Sequence, residues 1–310
     1  MVAPGSALIN AALSAKGSKP PKWAYGRIRP HNTAVPMLWA KCISAGVLWE
    51  GAGSPKDLAN GKTPTPYSAA PTWHGGTHGK FLRFNDSSRN KETFLLSHLN
   101  GAFDGLTDGL TFLVFAKFIG TNSGDEDTLM GQWSTLQDSS DVNATRMYFR
   151  YDSLNNELDI QTASAGSFFT HTVSRSIEDS LPHVLVARWN GSNLSTWVDG
   201  VQQGSTTTFS GPMRSASNSK VPELMGGHNV SISSGGSDSP RFELYSWGIW
   251  TRGLRDAEIR MLGRDPFIMF RPRLDSALSM LIDVPDAGGG NAIGTGLTGG
   301  ILLQRPRLVA

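Results

Sequence analysis

The stretch that decides the fold is Leu181-Pro182-His183-Val184-Leu185-Val186-Ala187-Arg188-Trp189-Asn190-Gly191. It continues as Ser192-Asn193-Leu194-Ser195-Thr196-Trp197-Val198-Asp199-Gly200 and then Val201-Gln202-Gln203. Apolar runs rich in Val, Leu and Trp are cut here by Asn190-Gly191 and by Asp199-Gly200. The second cut is a two-residue hairpin signal of type I′, because glycine enters φ > 0 freely and that turn's twist matches the twist of its strands. Strands are therefore expected over His183–Trp189, Asn193–Val198 and Val201–Gln203.

The same grammar recurs on both sides. Further expected strands are Phe81–Asn85, Leu110–Phe118, Thr128–Gln132, Arg146–Tyr151, Glu157–Ala163, Phe168–Thr172, Glu223–Gly226 and Arg241–Trp250. Short strands at this spacing imply an all-β antiparallel sandwich or jelly roll, not βαβ units. The one expected helix is Arg255–Arg264, with Asp256 and Glu258 in its first turn, Ile259 and Leu262 on one face, and Gly263 near its end.

Composition agrees. Hydrophobic residues make up 39% of 310, with 9 Trp and 35 Gly, while charged residues are only 17%. That apolar mass excludes a disordered chain and is ample for a core. The net charge of +2 divides unevenly along the chain. Residues 1–32 carry Lys16, Lys19, Lys22, Arg27 and Arg29 and no acid, whereas acids outnumber bases over 33–263. The expected organisation is an extended basic N-terminal arm over 1–45, a sandwich over 46–263 and an extended Gly-rich C-terminal arm over 264–310. The last arm holds Arg-Pro-Arg-Leu twice, at 271–274 and 305–308. A basic arm on an acidic body seeks a negative partner surface. Partner contacts are expected from Trp23, Tyr25, Arg27 and Arg29, and from Phe267, Phe270, Arg271, Arg273, Arg305 and Arg307. Nucleic acid is not the expected partner, since aromatic interleaving ends with Trp23 and Tyr25.

The lone Cys42 excludes an intrachain disulfide and a C-x-x-C metal cluster, and beside Ile43 it reads as a small buried hydrophobe. No apolar run approaches the roughly 18 residues of a membrane span, so no membrane partner is expected. The first charge comes only at Lys16 and Asn10 breaks the apolar stretch Ala7–Leu13, which is not the pattern of a classical leader.

The body resembles the laminin-G-like, concanavalin A-like jelly-roll domains in their bacterial and phage form. The resemblance runs in order from Asp57-Leu58-Ala59-Asn60-Gly61 and Pro71-Thr72-Trp73 through Gly79-Lys80-Phe81-Leu82-Arg83-Phe84-Asn85 and Leu110-Thr111-Phe112. It is strongest over 181–200 and closes at Phe242-Glu243-Leu244-Tyr245-Ser246-Trp247-Gly248-Ile249-Trp250 with Asp256-Ala257-Glu258-Ile259. It implies a sandwich in which Val184 and Val186 face the inter-sheet core while Arg188 and Thr196 face out. Such a fold hosts many functions, so it implies architecture more firmly than activity.

Three kinds of chemistry follow from the resemblance. Related glucan-hydrolysing jelly rolls carry Glu-x-Asp-x-Glu on one strand, where period two puts three carboxylates on one face. Here the segment is Glu157-Leu158-Asp159-Ile160-Gln161, and an amide at Gln161 cannot donate and recover a proton. A solvated strand face is expected, and no catalysis. Laminin-G-like domains often bind calcium through loop aspartates, but Asp125-Glu126-Asp127 reads as a polar surface loop because adjacent side chains diverge. His74 and His78 flank Gly75-Gly76-Thr77, a loop rather than a metal-binding helix. Glycan contact would require exposed aromatic platforms, for which Trp73, Trp133 and Trp189 are the candidates. Asp265-Pro266-Phe267 and Phe270-Arg271-Pro272 resemble the stretch that follows such domains in tailed-phage structural proteins. The expectation is therefore a capsid decoration or cementing protein on the phage head. Its partners would be the major capsid protein and copies of itself, with a surface-glycan adhesin as the alternative and a glycan hydrolase related to laminarinases as the weaker one.

Overall fold

The computed structural model describes residues 33–66, 70–76, 78–84, 92–120, 126–132, 147–153, 155–164, 167–213, 223–224 and 241–271. Its strands are β1 Cys42–Val47, β2 Thr65–Pro66, β3 Thr72–Gly76, β4 Gly79–Phe84, β5 Phe94–Leu95, β6 Leu110–Phe118, β7 Glu126–Gln132 and β8 Met147–Asp152. There follow β9 Glu157–Ser164, β10 Ser167–Ser174, β11 Pro182–Trp189, β12 Asn193–Val198, β13 Val201–Thr208, β14 Glu223–Leu224 and β15 Phe242–Trp250, with helix α1 at Asp256–Arg264. All the expected strands are present, and the longest correction is to β13, which runs on to Thr208.

Two antiparallel sheets face each other. One runs β13-β12-β11-β6-β15-β4-β3 and the other β10-β9-β8-β7-β14-β5-β2. On one edge β15 pairs with β6 along its length; the other edge is shared by β4 at Phe242–Leu244 and β1 at Ser246–Trp250. The Asp199-Gly200 turn has φ of 51° and 77°, the doubly positive geometry that a type I′ hairpin demands.

Burial of the eight-stranded sheet departs from the expectation. Phe112, Val114, Leu185, Ala187 and Trp247 meet Phe149, Leu158 and Ile160 of the other sheet in the inter-sheet core. The alternate residues Leu113, Phe115, Val184, Val186, Trp197 and Tyr245 form a second cluster on the sheet's outer face. Val184 and Val186 thus lie opposite to where they were expected, and Leu185 and Ala187 take the inner positions. The physical reason is in the run itself: Val-Leu-Val-Ala does not alternate, which is how a strand buried on both faces reads.

Three elements cover that outer face. Helix α1 brings Ile259 and Leu262, the single turn Pro36–Trp39 brings Leu38 and Trp39, and the turn Ile268–Phe270 brings Met269 and Phe270. Trp39 donates its indole N–H to the Met269 carbonyl at 2.9 Å, and its ring meets Phe270 edge-on at 5.8 Å. Residues 33–45 and 264–271 therefore pack with the sandwich, where extended arms were expected. Residues 1–32 and 272–310 lie outside the described residues, and Leu274–Ala310 counts as a separate unit.

A buried arginine fastens the helix. Arg188 does face outward but is only 6% exposed. Its guanidinium donates to Ser195 Oγ, to the Leu254 carbonyl and to Asp256 at the head of α1 (2.6 Å), and lies 5.1 Å from the Trp197 ring centre. Thr196 is buried as well. At the far end of α1, a Cβ on Gly263 would overlap the backbone nitrogen of Gly200 in the hairpin turn. Glycine is required there by close approach.

Two-sided burial makes a simple prediction. Leu185→Ala, on the inner face, is expected to cost about 2–5 kcal/mol and Val186→Ala, on the outer face, about 2 kcal/mol. Denaturant unfolding checks this; a cost near zero for Val186→Ala contradicts a packed outer face.

Candidate functional site

With one sheet covered, the outer face of the other carries the chemistry. Phe149, Tyr151, Leu158 and Ile160 turn into the core, so the intervening residues of β8, β9 and β10 share the opposite face. Register aligns them in three rows: Tyr148–Gln161–Thr170, Arg150–Asp159–Thr172 and Asp152–Glu157–Ser174.

Asp159 is the centre of this ladder and is 2% exposed. Its Oδ2 accepts from Arg150 Nε and pairs with Arg150 Nη2, both at 2.8 Å. Its Oδ1 is buried with no hydrogen-bond partner. The Arg150 guanidinium lies 5.8 Å from the Tyr148 ring centre. Burial first, and the negative Asp159 second, push the Tyr148 phenol far above the usual tyrosine range, so it remains neutral. Asp152 is occupied locally, accepting from the backbone and side-chain N–H groups of Asn155. Gln161 is half-buried, while Thr170 and Thr172 are exposed at the rim.

A desolvated carboxylate oxygen accepts and cannot donate, and leaving it unpaired costs about 1–3 kcal/mol. The groups on this face open to a ligand are the hydroxyls of Thr170 and Thr172 and the Gln161 amide, which both donate and accept. The Glu157-x-Asp159-x-Gln161 spacing does place all three on one face of one strand, next to the Asn155-Asn156 turn, where Asn156 has a positive φ. Sequence reading singled out Asp159 in that segment but passed over Tyr148 and Arg150. Their signal was the period-two polar pattern of Tyr148-x-Arg150-x-Asp152 facing the same pattern in β9.

The tryptophan candidates fare differently. Trp189 is fully buried, donates to the Phe209 carbonyl at 2.9 Å and packs on the Phe209 ring at 5.1 Å, so it is no sugar platform. Trp73 is half-buried in β3, packed against the inter-sheet core with its indole N–H given to the Gly53 carbonyl. Trp133 lies outside the described residues.

In the C-terminal set, Phe270 is buried and Phe267 meets Phe115 edge-on at 5.5 Å. Arg271 pairs with Asp265 at 2.7 Å. All three make internal contacts, where contacts to a partner were expected. Trp23, Tyr25, Arg27, Arg29, Arg273, Arg305 and Arg307 lie outside the described residues.

Glu126 and Asp127 open strand β7 where a loop was expected, because the strand extends two residues upstream of Thr128; Asp125 is not described. His74 likewise sits in β3, stacked on Phe81 at 5.6 Å, and not in a loop. Among the described residues no three His, Cys, Asp or Glu side chains converge as a metal site would require. Cys42 is half-buried, and burial pushes its thiol far above the usual range.

One titratable cluster stands beside the Asp199-Gly200 turn. His183 Nδ1 lies 2.7 Å from Asp199 Oδ2 and Nε2 lies 2.9 Å from Asp179 Oδ1. Carboxylates only accept, so both ring nitrogens donate and the ring is an imidazolium. The Asp199 hydrogen bond raises its pKa, against burial, with Asp179 adding to the rise.

No family model and no curated relative matches the chain. Solved structures share its fold. The binding domain of Paraclostridial Mosquitocidal Protein 1 is 14% identical with a TM-score of 0.54, over 73% of this chain and 52% of that one. A structure of botulinum neurotoxin type C is 11% identical with a TM-score of 0.52, over 72% and 50%. Trypanosoma rangeli sialidase is 14% identical with a TM-score of 0.50, over 74% and 33%. The chain thus spans about half of the toxin chains and a third of the sialidase, and identities this low establish the sandwich fold alone.

The His183 geometry predicts a pH dependence. A pKa raised above the ordinary 6.5 gives stability that is full below 6.5 and is lost as the pH rises through the folded-state value. Urea midpoints measured from pH 5 to 9 are expected to fall across that window in the native chain more than in His183→Gln. Identical pH profiles contradict the assignment.

Proposed function

We propose that this chain is a saccharide-binding module that holds its ligand on the outer face of the seven-stranded sheet without cleaving it. The observation that carries this reading is the polar row Arg150–Asp159–Thr172, whose rim presents the exposed hydroxyls of Thr170 and Thr172 beside half-buried Gln161. Sugar hydroxyls can bond to those threonine hydroxyls and to the Gln161 amide. The fold is shared with toxin chains whose descriptions name glycan ligands. Botulinum neurotoxin type C is described as entering cells through interaction with two ganglioside molecules, and the type DC binding domain as a complex with SialylT. Binding without turnover is the reading supported by the sequence resemblance, in which Gln161 takes the place of the second glutamate of glucan-hydrolysing jelly rolls, and by the pairing of Asp159 with Arg150.

The test is binding of the full chain to a panel of immobilised neutral and acidic oligosaccharides. Thr170→Arg and Thr172→Arg, both at the exposed rim, are each expected to weaken binding at least tenfold, about 1.4 kcal/mol, with circular dichroism unchanged. Absence of binding across the panel, or native affinity in both variants, overturns the reading. Release of reducing ends that Glu157→Gln abolishes would make the protein a hydrolase instead.

A second reading rests on a different observation. The Ala34 amide donates to the Arg271 carbonyl at 2.8 Å, a contact on the covered side of the sandwich, opposite the polar ladder. That placement suits a virion component anchored through both extensions to the major capsid protein and to copies of itself on the phage head. Deleting residues 1–32 is expected to abolish co-sedimentation with purified particles; unchanged co-sedimentation removes this reading.

A further inference from the structure

A cleft of ≈ 450 Å³ lies between the β12–β13 hairpin and α1, within the size range of small-ligand sites. Trp197 and Val201 line the hairpin side; the Trp197 ring is almost wholly buried, whereas Val201 is 62% exposed. Arg260 and Arg264 line the helix side, four residues apart and therefore on one face.

Charge in this cleft does not balance internally. Of its two carboxylates, Asp199 is held by His183 and the Val184 amide, and Asp256 by Arg188 at 2.6 Å. Arg260 reaches only the other oxygen of Asp256, at 3.8 Å. Among the described residues Arg264 has no carboxylate within ion-pair range. Each carboxylate thus has its closest partner behind the wall, Arg260 keeps one long contact to Asp256, and Arg264 lines the cleft without a carboxylate partner among the described residues.

The cleft is held at a fixed width. Gly263 sits directly against the Gly200 backbone, and a Cβ on Gly200 would come within 3.0 Å of the Arg260 Cα. Arg188 pins the head of α1 to β11 and β12, as described above. The forks therefore meet a ligand from a rigid frame, which lowers the entropic cost of binding.

We propose that this cleft binds a small organic oxyanion, a carboxylate or phosphate, whose apolar side rests on Val201. A guanidinium matches such a group through two parallel N–H···O bonds, and a pair of them selects charge that a neutral ligand lacks. The site is separate from the polar ladder on β8–β10 and does not depend on it.

Calorimetric titration of the full chain at low salt tests this, with benzoate, inorganic phosphate and benzamide as probes, none of them a saccharide. Benzoate is expected to bind saturably, phosphate to compete with it, and neutral benzamide not to bind. The double variant R260Q/R264Q is expected to lower benzoate affinity at least tenfold, and Val201→Trp, which fills the rim without altering charge, to lower it as well. Equal binding of benzamide, failure of phosphate to compete, or native affinity in R260Q/R264Q with unchanged circular dichroism overturns the proposal.

Discussion

Burial of β6, β11 and β15 on both faces is the constraint from which the rest of the architecture follows. A sheet with one apolar face needs one partner layer; this sheet has two such faces and needs two. The second sheet satisfies the inner face. The outer face recruits whatever chain is at hand, and here that is α1 with the short turns at Pro36–Trp39 and Ile268–Phe270. Polar anchoring follows the same demand. Arg188 is admitted to the interior because Ser195, the Leu254 carbonyl, Asp256 and the Trp197 ring together replace its water. Arg252 does similar work alongside, pairing both nitrogens with Glu258 while reaching the carbonyls of Met37 and Ala40.

The asymmetry that results is also what leaves a face for chemistry. Covering one side with helix and turns concentrates polar residues on the other, where β8, β9 and β10 align Tyr148, Arg150 and Asp159 with the threonines of β10. An internally paired arginine beside a half-satisfied aspartate keeps the ladder polar at its base without giving it a free charge. The cleft at α1 has a different character: its acids bond His183 and Arg188 behind the wall, Arg260 makes only a long pair with Asp256, and Arg264 has no carboxylate partner among the described residues.

Much of this was legible in the order of residues. Strand positions followed from alternating runs and turn residues, and the Asp199-Gly200 hairpin from glycine's tolerance of positive φ. The α1 helix followed from its acidic first turn and the Ile259–Leu262 stripe. What escaped is equally instructive. β1 was hidden because Cys-Ile-Ser-Ala-Gly-Val is short and small-residued, and its place in the sheet depends on Gly46 clearing the Trp247 ring, a contact two hundred residues away. Phe270 resembled a partner-seeking aromatic because nothing local says that it meets Trp39. Trp189 looked available for the same reason. The Asp159 segment was visible as a spacing, but only register with β8 reveals that Arg150 occupies one of its oxygens.

The clasp between Ala34 and Arg271 carries one more consequence, a mechanical one. That hydrogen bond and the Trp39–Phe270 contact behind it tie the turn Pro36–Trp39 to the turn Ile268–Phe270. The covering layer is thus fastened to itself as well as seated on the sheet, so its two turns would lift from the outer face together and not one at a time.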